Sequence, residues 1–197
     1  MGKLFYIIGK SSTGKDTIFQ SLLEKKELSL RPLVLYTTRP MRAGETPGLQ
    51  YHFTDENGLA GLEAQGRVIE LRAYHTVHGV WKYFTADTEA TNLEHFNYLA
   101  VGVLESFRSI RDYYGEDRVI PIYIEVEDGE RLQRALDRER AQEKPRYAEM
   151  CRRFLADSED FSEEKIQAAG IKRRFCNREL KECIEEISSC IREYLKP

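Results

Sequence analysis

Residues 5–19 read FYIIGKSSTGKDTIF. The apolar run KLFYIIG over 3–9 has strand length and ends in a glycine. Gly14 and Lys15 follow, and KDTIFQSLLEKKE over 15–27 carries Ile18, Phe19, Leu22 and Leu23 at helical spacing. Strand, glycine-bounded loop and helix in this order can form an anion cradle. Consecutive backbone N–H groups converge at the positive end of the helix, and glycine allows close approach or left-handed angles. The pattern G-x-x-x-x-G-K-[ST] is met by Gly9, Gly14 and Lys15, but its last position is Asp16. The expectation is that Gly9, Ser11, Ser12, Thr13, Gly14 and Lys15 bind the phosphates of ATP, Lys15 as a point charge. The alternative is a glycine turn closing an ordinary βα unit.

Asp16 stands where a hydroxyl normally holds Mg²⁺. A carboxylate is itself a hard oxygen ligand, so Asp16, with Thr17 sharing the duty, is the expected metal site, and Mg²⁺ with ATP the expected cofactor. The alternative is an idle acid at a helix N-terminus, favourable only to the helix dipole.

The rest of the chain bounds the reading. At 197 residues and 41% hydrophobic, it can bury one substantial core. Charged residues make up 32% but the net is −3, so no global basic excess points to nucleic acid. The run LFYII is too short for a membrane span. Cys176, Cys183 and Cys190 recur every seven residues without ligand-spaced partners, which suits semi-buried thiols on a closing helix and a reducing, cytoplasmic compartment. Neither nucleic acid nor membrane is an expected partner, and a monomer or homodimer is expected from size.

Beyond the loop, RPLVLYTT over 31–38 reads as one strand. YHFT, VIELRAYHT and WKYFTA within 51–86 read as a small antiparallel β-rich insertion. NYLAVGV is a strand, and ESFRSIRDYYG a helix stopped by Gly115. RVIPIYIEV is a strand, and a helix follows over 128–141 with Asp128 as N-cap. Pro145 opens the next helix, through Phe161. GIKRRFC is a short strand, and Asn177 caps the closing helix 178–195. This alternation predicts a mostly parallel sheet covered on both faces. His75 and His78, without ligand-spaced partners, read as packing or surface residues, and Trp81 as a buttress of the hairpin, with base stacking as the alternative.

A second motif is YTTRPMRAGETPGLQYHF over 36–53. Arg39 and Arg42, three apart on irregular backbone, can grip one phosphate through two planar forks, with the Tyr51 hydroxyl as a further donor. A solvated basic loop is the alternative. This stretch, with GKSSTGKD upstream, resembles the guanylate kinase family, whose loop reads T-T-R-x-x-R-x-G-E followed by Y-x-F. The resemblance spans nearly the whole chain. It implies that Arg39, Arg42, Tyr51 and Tyr83 hold the phosphate of an acceptor monophosphate, and that Glu70 in GRVIEL reads the guanine edge. Thr85 resembles the hydroxyl of the family's Y-G-[ST] element, with Phe84 in place of the glycine. Lid arginines resemble Arg138 or Arg140, then Arg153 in RRF, and Asn177 resembles the asparagine near adenine. The segment 131–153 is also readable as a solvated helical face.

Departures fall on the base-reading side. The family's guanine-contacting serine is Leu35. Its D-[IV]-D-x-Q-G strand end corresponds to VGVLES, so both aspartates are gone and only Glu105 stands nearby, at the glutamine, as an expected acceptor-binding residue. The hairpin between Glu70 and Tyr83 is longer. Ribose 1,5-bisphosphate phosphokinases, which resemble guanylate kinases, carry a G-K-D-[ST] loop, so an acid at position 16 is compatible with kinase chemistry.

The expected fold is therefore a P-loop NTPase-type three-layer α/β/α domain. It has a mostly parallel five-stranded sheet with its core at about 1–35, 97–130 and 160–197. A β-rich acceptor-binding insertion at about 36–96 and a helical lid at about 131–159 complete it. The expected function is ATP-dependent phosphoryl transfer to a nucleoside monophosphate, GMP or dGMP. The rivals are a sugar-phosphate kinase and a non-catalytic binding module, the latter disfavoured by Lys15 and both glycines.

Overall fold

A computed structural model describes residues 1–42, 44–76, 79–88 and 91–196. His78 lies outside the described residues. Strand β1 (Leu4–Ile8) is buried along its whole length. Its side chains alternate between the two faces of the sheet, as a pleated strand requires. Leu4, Tyr6 and Ile8 enter one apolar cluster, and Phe5 and Ile7 enter the other. Each fully buried side chain of this size contributes about 1.5–3 kcal/mol relative to exposure, so the strand that feeds the loop is firmly seated.

The sheet around β1 has five parallel strands in the order β2-β7-β1-β8-β9. These are β2 (Leu30–Pro32), β7 (Asn97–Gly102), β8 (Val119–Glu125) and β9 (Arg174–Cys176). Helix α1 (Lys15–Glu24) and the closing helix α7 (Leu180–Leu195) cover one face, through Ile18, Leu22, Ile184, Ile187 and Ile191. Helix α3 (Leu104–Tyr114), stopped at Gly115, covers the other with α6 (Glu163–Ala168). Cys183 and Cys190 lie buried on α7, whereas Cys176 on β9 is exposed; all are free thiols.

The second sheet has the order β4-β3-β6-β5, from β3 (Tyr36–Thr37), β4 (His52–Phe53), β5 (Val68–Thr76) and β6 (Gly79–Ala86). Its β3–β4 pair is parallel, so the sheet is mixed rather than antiparallel throughout. The expected single strand over 31–38 is two. Leu33 still bonds Leu99 of the first sheet (2.8 Å), but the Leu35 carbonyl already accepts from His52 of the second (2.8 Å). Pro32 lacks an N–H and suits the edge position where β2 ends.

Helix α2 (Glu56–Ala64), capped by Asp55 accepting from Gly58 N–H (2.8 Å), was not expected. Gly58 and Gly61 within it lower its intrinsic helix propensity. Leu59 settles the matter by packing under Phe84 and Ala86.

Helices α4 (Asp128–Arg140) and α5 (Tyr147–Asp160) pack on each other beside the loop. Two caps differ from expectation. Glu127, not Asp128, caps α4, accepting from Glu130 N–H at 3.0 Å. The Asp128 carboxylate is instead drawn to Lys10 (3.1 Å) and Arg131 (3.0 Å). Asn177 does not cap α7, whose N-cap is Glu179. Pro145 precedes α5 by two residues, leaving Arg146 at the N-cap.

Candidate active site

The loop from Gly9 to Gly14 leaves β1 and enters α1. A Cβ on Gly9 would meet the Ile124 carbonyl oxygen at 2.5 Å, so no larger residue fits against β8. Gly14 has φ 86°, in the left-handed region, and a Cβ there would meet Asn177 Nδ2 at 2.6 Å. That atom donates to the Thr13 carbonyl (2.8 Å), so Asn177 ties the end of β9 to the loop. Thr13 Oγ1 donates to the Lys10 carbonyl (2.9 Å), and Lys15 Nζ folds back to the same oxygen (2.7 Å). Two polar atoms here are buried without a hydrogen-bond partner, Ser12 Oγ and Asn177 Oδ1.

Burial lowers the Lys15 ammonium to about 8, opposed by the charges of Asp16 and Asp157 and reinforced by Arg153 and Arg131. Asp16 and Thr17 are exposed in the first turn of α1. They share a cavity of about 230 Å³ with Ser12, Gly14, Lys15, Arg134 and Arg138. Among the described residues no three His, Cys, Asp or Glu side chains cluster in a way that could hold a metal. One carboxylate and one hydroxyl beside a phosphate cradle nevertheless fit Mg²⁺, which takes few protein ligands and completes its shell with phosphates and water.

The α4–α5 pair meets the loop through Arg138 and Arg153 and also through residues that the motifs did not single out. Asp157 Oδ2 accepts from Ser11 N–H (2.8 Å) and from Arg131 Nη1 (3.0 Å). Arg131 is 1% exposed and its guanidinium lies 4.1 Å over the Phe154 ring. Arg134 donates to the Asn177 carbonyl (2.9 Å), and Arg153 to Ser11 Oγ (3.2 Å). Arg138 lines the cavity of about 230 Å³ and a second one of about 200 Å³ bordered by Ser11, Ser12 and Arg153. Arg140 does not belong with it: its side chain is 63% exposed, 3.9 Å from Asp137. Two residues on along a helix point to different sides, whereas Arg131, Arg134 and Arg138, at spacings of three and four, share one face.

On the second sheet, Arg39 is 3% exposed and gripped in a fork–fork pair by Glu45 (2.7 and 3.0 Å), with Pro40 carbonyl accepting at 2.7 Å. Its guanidinium sits 5.4 Å from the Tyr51 ring. Glu45 also accepts from Arg42 N–H (2.7 Å), and its carboxyl is held below the usual range by Arg39. Glu45 therefore fixes the loop that presents both arginines; Arg42 itself is exposed.

Tyr51 and Tyr83 meet edge to face at 5.5 Å. With Tyr74, Trp81, Leu35, Arg72 and Val101 they line a slot of about 440 Å³. Thr85 and Glu70 are buried beside it, Thr85 Oγ1 donating to Glu70 Oε1 (2.9 Å), and Arg72 pairs with Glu70 (3.0 Å). Phe84 points to the opposite face of β6, onto Tyr36 (5.2 Å), so its replacement of a glycine does not intrude on the slot. Glu105 does not reach the slot. It is exposed at the start of α3 and lines a neighbouring cavity of about 830 Å³ that shares Arg72 and Tyr74. His75 is exposed on β5, and Trp81 borders the slot rather than only bracing the hairpin.

A glycine-bounded strand–loop–helix on a parallel α/β sheet, beside a second sheet bearing a buried arginine, is the arrangement of a P-loop fold. The profile of the guanylate kinase family matches residues 1–163. The guanylate kinase of Porphyromonas gingivalis is 28% identical over 199 residues, covering 99% of this chain and 99% of that protein. The guanylate kinase of Neisseria gonorrhoeae is 38% identical over 91 residues, 46% of this chain and 42% of that protein. Among solved structures, guanylate kinase from Anaplasma phagocytophilum superposes with a TM-score of 0.65 at 20% identity, over 99% of this chain and 87% of that one. The chain belongs to the guanylate kinase family and is a phosphotransferase. No helix among the described residues is long and apolar enough to cross a membrane.

Proposed function

We propose that the chain transfers the γ-phosphoryl group of ATP to a nucleoside monophosphate, GMP or dGMP. The observation that carries the acceptor class is the slot beside Arg39. Four aromatic rings around about 440 Å³ suit a flat base, which a bare sugar phosphate lacks.

Phosphoryl transfer needs positioning and charge neutralisation more than covalent chemistry. Loop amides, Ser12 and Lys15 hold the donor phosphates, and Asn177 fixes the loop near the adenine side. Arg39, Arg42, Tyr51 and Tyr83 hold the acceptor phosphate, Arg39 pre-aimed by Glu45. Arg138 and Arg153, on α4 and α5 acting as a lid over 131–159, stabilise charge on the moving group. Mg²⁺, when bound, neutralises the donor oxygens, and Asp16 and Thr17 are the residues that would hold it.

The test is ADP release from Mg-ATP with GMP, dGMP, AMP, CMP, UMP and ribose 1,5-bisphosphate, with Lys15→Ala as the blank. Turnover with GMP or dGMP supports the proposal. Turnover with the sugar bisphosphate alone overturns it.

A further inference from the structure

We infer that Arg72 is the group that reads the acceptor base and that Glu70 positions it, so that the slot selects a 6-oxopurine without reading its 2-amino group. This rests on the nucleotide reading above.

The argument begins with the acid. The Glu70 side chain is 5% exposed, and a buried carboxylate must be paired and hydrogen-bonded. Its partners are protein groups: Arg72 Nε at 3.0 Å, Arg72 Nη2 at 3.4 Å and Thr85 Oγ1 at 2.9 Å. Glu70 does not line the slot; Arg72 does, at 19% exposure. What the pair presents to a base is thus the guanidinium. Arginine has five N–H donors and no acceptor, and Glu70 engages only two of the five.

The slot wall contributed by Leu35 and Val101 is apolar and offers no competing hydrogen bond. The missing family serine at Leu35 is therefore compensated by a donor from β5. Guanine presents O6 and N7 as adjacent acceptors, the pattern a planar arginine fork matches. Adenine presents an N6 amino donor beside N7, which sets donor against donor. Hypoxanthine keeps O6 and N7 and lacks only the 2-amino group.

The experiment measures kcat/KM for GMP, IMP and AMP with the full chain and Mg-ATP. The expected result is GMP and IMP within about tenfold of each other, and AMP lower by about a thousandfold or more. Arg72→Met should lower GMP and IMP together by about 100-fold, chiefly through KM, leaving Mg-ATP binding unchanged and AMP unchanged or improved as the donor–donor clash is relieved. Because Arg72→Met strands the Glu70 charge, Glu70→Gln/Arg72→Met is run beside it, with melting and Mg-ATP binding as checks on folding. The double variant should show the same collapse of the GMP-to-AMP ratio. Arg72→Lys, which keeps the charge but not the fork, should recover only part of it. Use of GMP with rejection of IMP would show that the 2-amino group is read, and would overturn the inference. An unchanged GMP-to-AMP ratio in a folded double variant would overturn it too. Wild-type turnover of ribose 1,5-bisphosphate but of no nucleoside monophosphate would remove the nucleotide reading itself, and this inference with it.

Discussion

The carboxylate of Asp157, on α5, accepts a hydrogen bond of 2.8 Å from the backbone N–H of Ser11 in the phosphate loop. A negative group thus sits on an amide of the loop to which the proposed function assigns the triphosphate, held there by the buried Arg131 at 3.0 Å. Asp157→Asn should lower the Kd for Mg-ATP by about three- to tenfold, since it removes a like charge and weakens the competing bond. The same change weakens a buried ion pair, so the melting temperature should fall by several degrees. Calorimetric titration and a thermal melt on one preparation check both. Weaker ATP binding would show that Asp157 supports the loop rather than competing for it.

Donor binding should depend on pH through Lys15. Its folded value, about 8, lies below the ordinary 10.5 because burial disfavours the charged form. Phosphate binding favours that charged form. Affinity for Mg-ATP is then fully present below about pH 8 and falls above it, by up to about tenfold per pH unit. For stability the sign is opposite: this lysine's contribution becomes more favourable as pH rises from about 8 towards 10.5. Titrations at pH 7, 8 and 9 should show the slope, and Lys15→Arg should flatten it.

Glu45 forms the fork that aims Arg39 and bonds the backbone of Arg42. Glu45→Gln keeps the volume and removes the charge. The KM for the acceptor should rise about tenfold or more, as expected for losing charge-assisted hydrogen bonds. The Kd for Mg-ATP should stay the same, because the loop of the first sheet is untouched. A matching loss of ATP affinity would argue against a purely acceptor-side role.

Arg138 and Arg140 give a paired test of the α4 face. Arg138→Ala should lower kcat by about 100-fold, as removal of a group stabilising transferring charge does. Arg140→Ala should change kcat less than about twofold, as is usual for an exposed surface charge. Steady-state rates with saturating Mg-ATP decide it; equal losses would refute the placement of Arg140 on the solvent side.

Much of this was legible in the residues themselves. The strand–loop–helix of 3–27 and the T-T-R-x-x-R-x-G-E stretch each carry local chemistry, so the parallel sheet and the family followed from them. Arg131 and Arg134 were also within reach, because with Arg138 they repeat at helical spacing and Arg140 breaks it. Helix α2 was hidden by Gly58 and Gly61. The split of residues 31–38 between two sheets was hidden because each half is individually strand-like.

The amino-acid sequence alone was enough for the local geometry: most of the helices and strands, where glycine permits a close approach, and which side chains carry charge. Which charges meet is set by the packing of distant elements. Asp157 reaches Ser11 across 146 positions of chain, and Asn177 reaches Thr13 across 164. Glu70 and Arg72 stand two apart on one face of a strand, but burial is what forces them to pair. Spacing encodes a helix or a strand because backbone periodicity is local. Ion pairing and burial arise where distant elements exclude water together, and no short stretch of sequence contains that information.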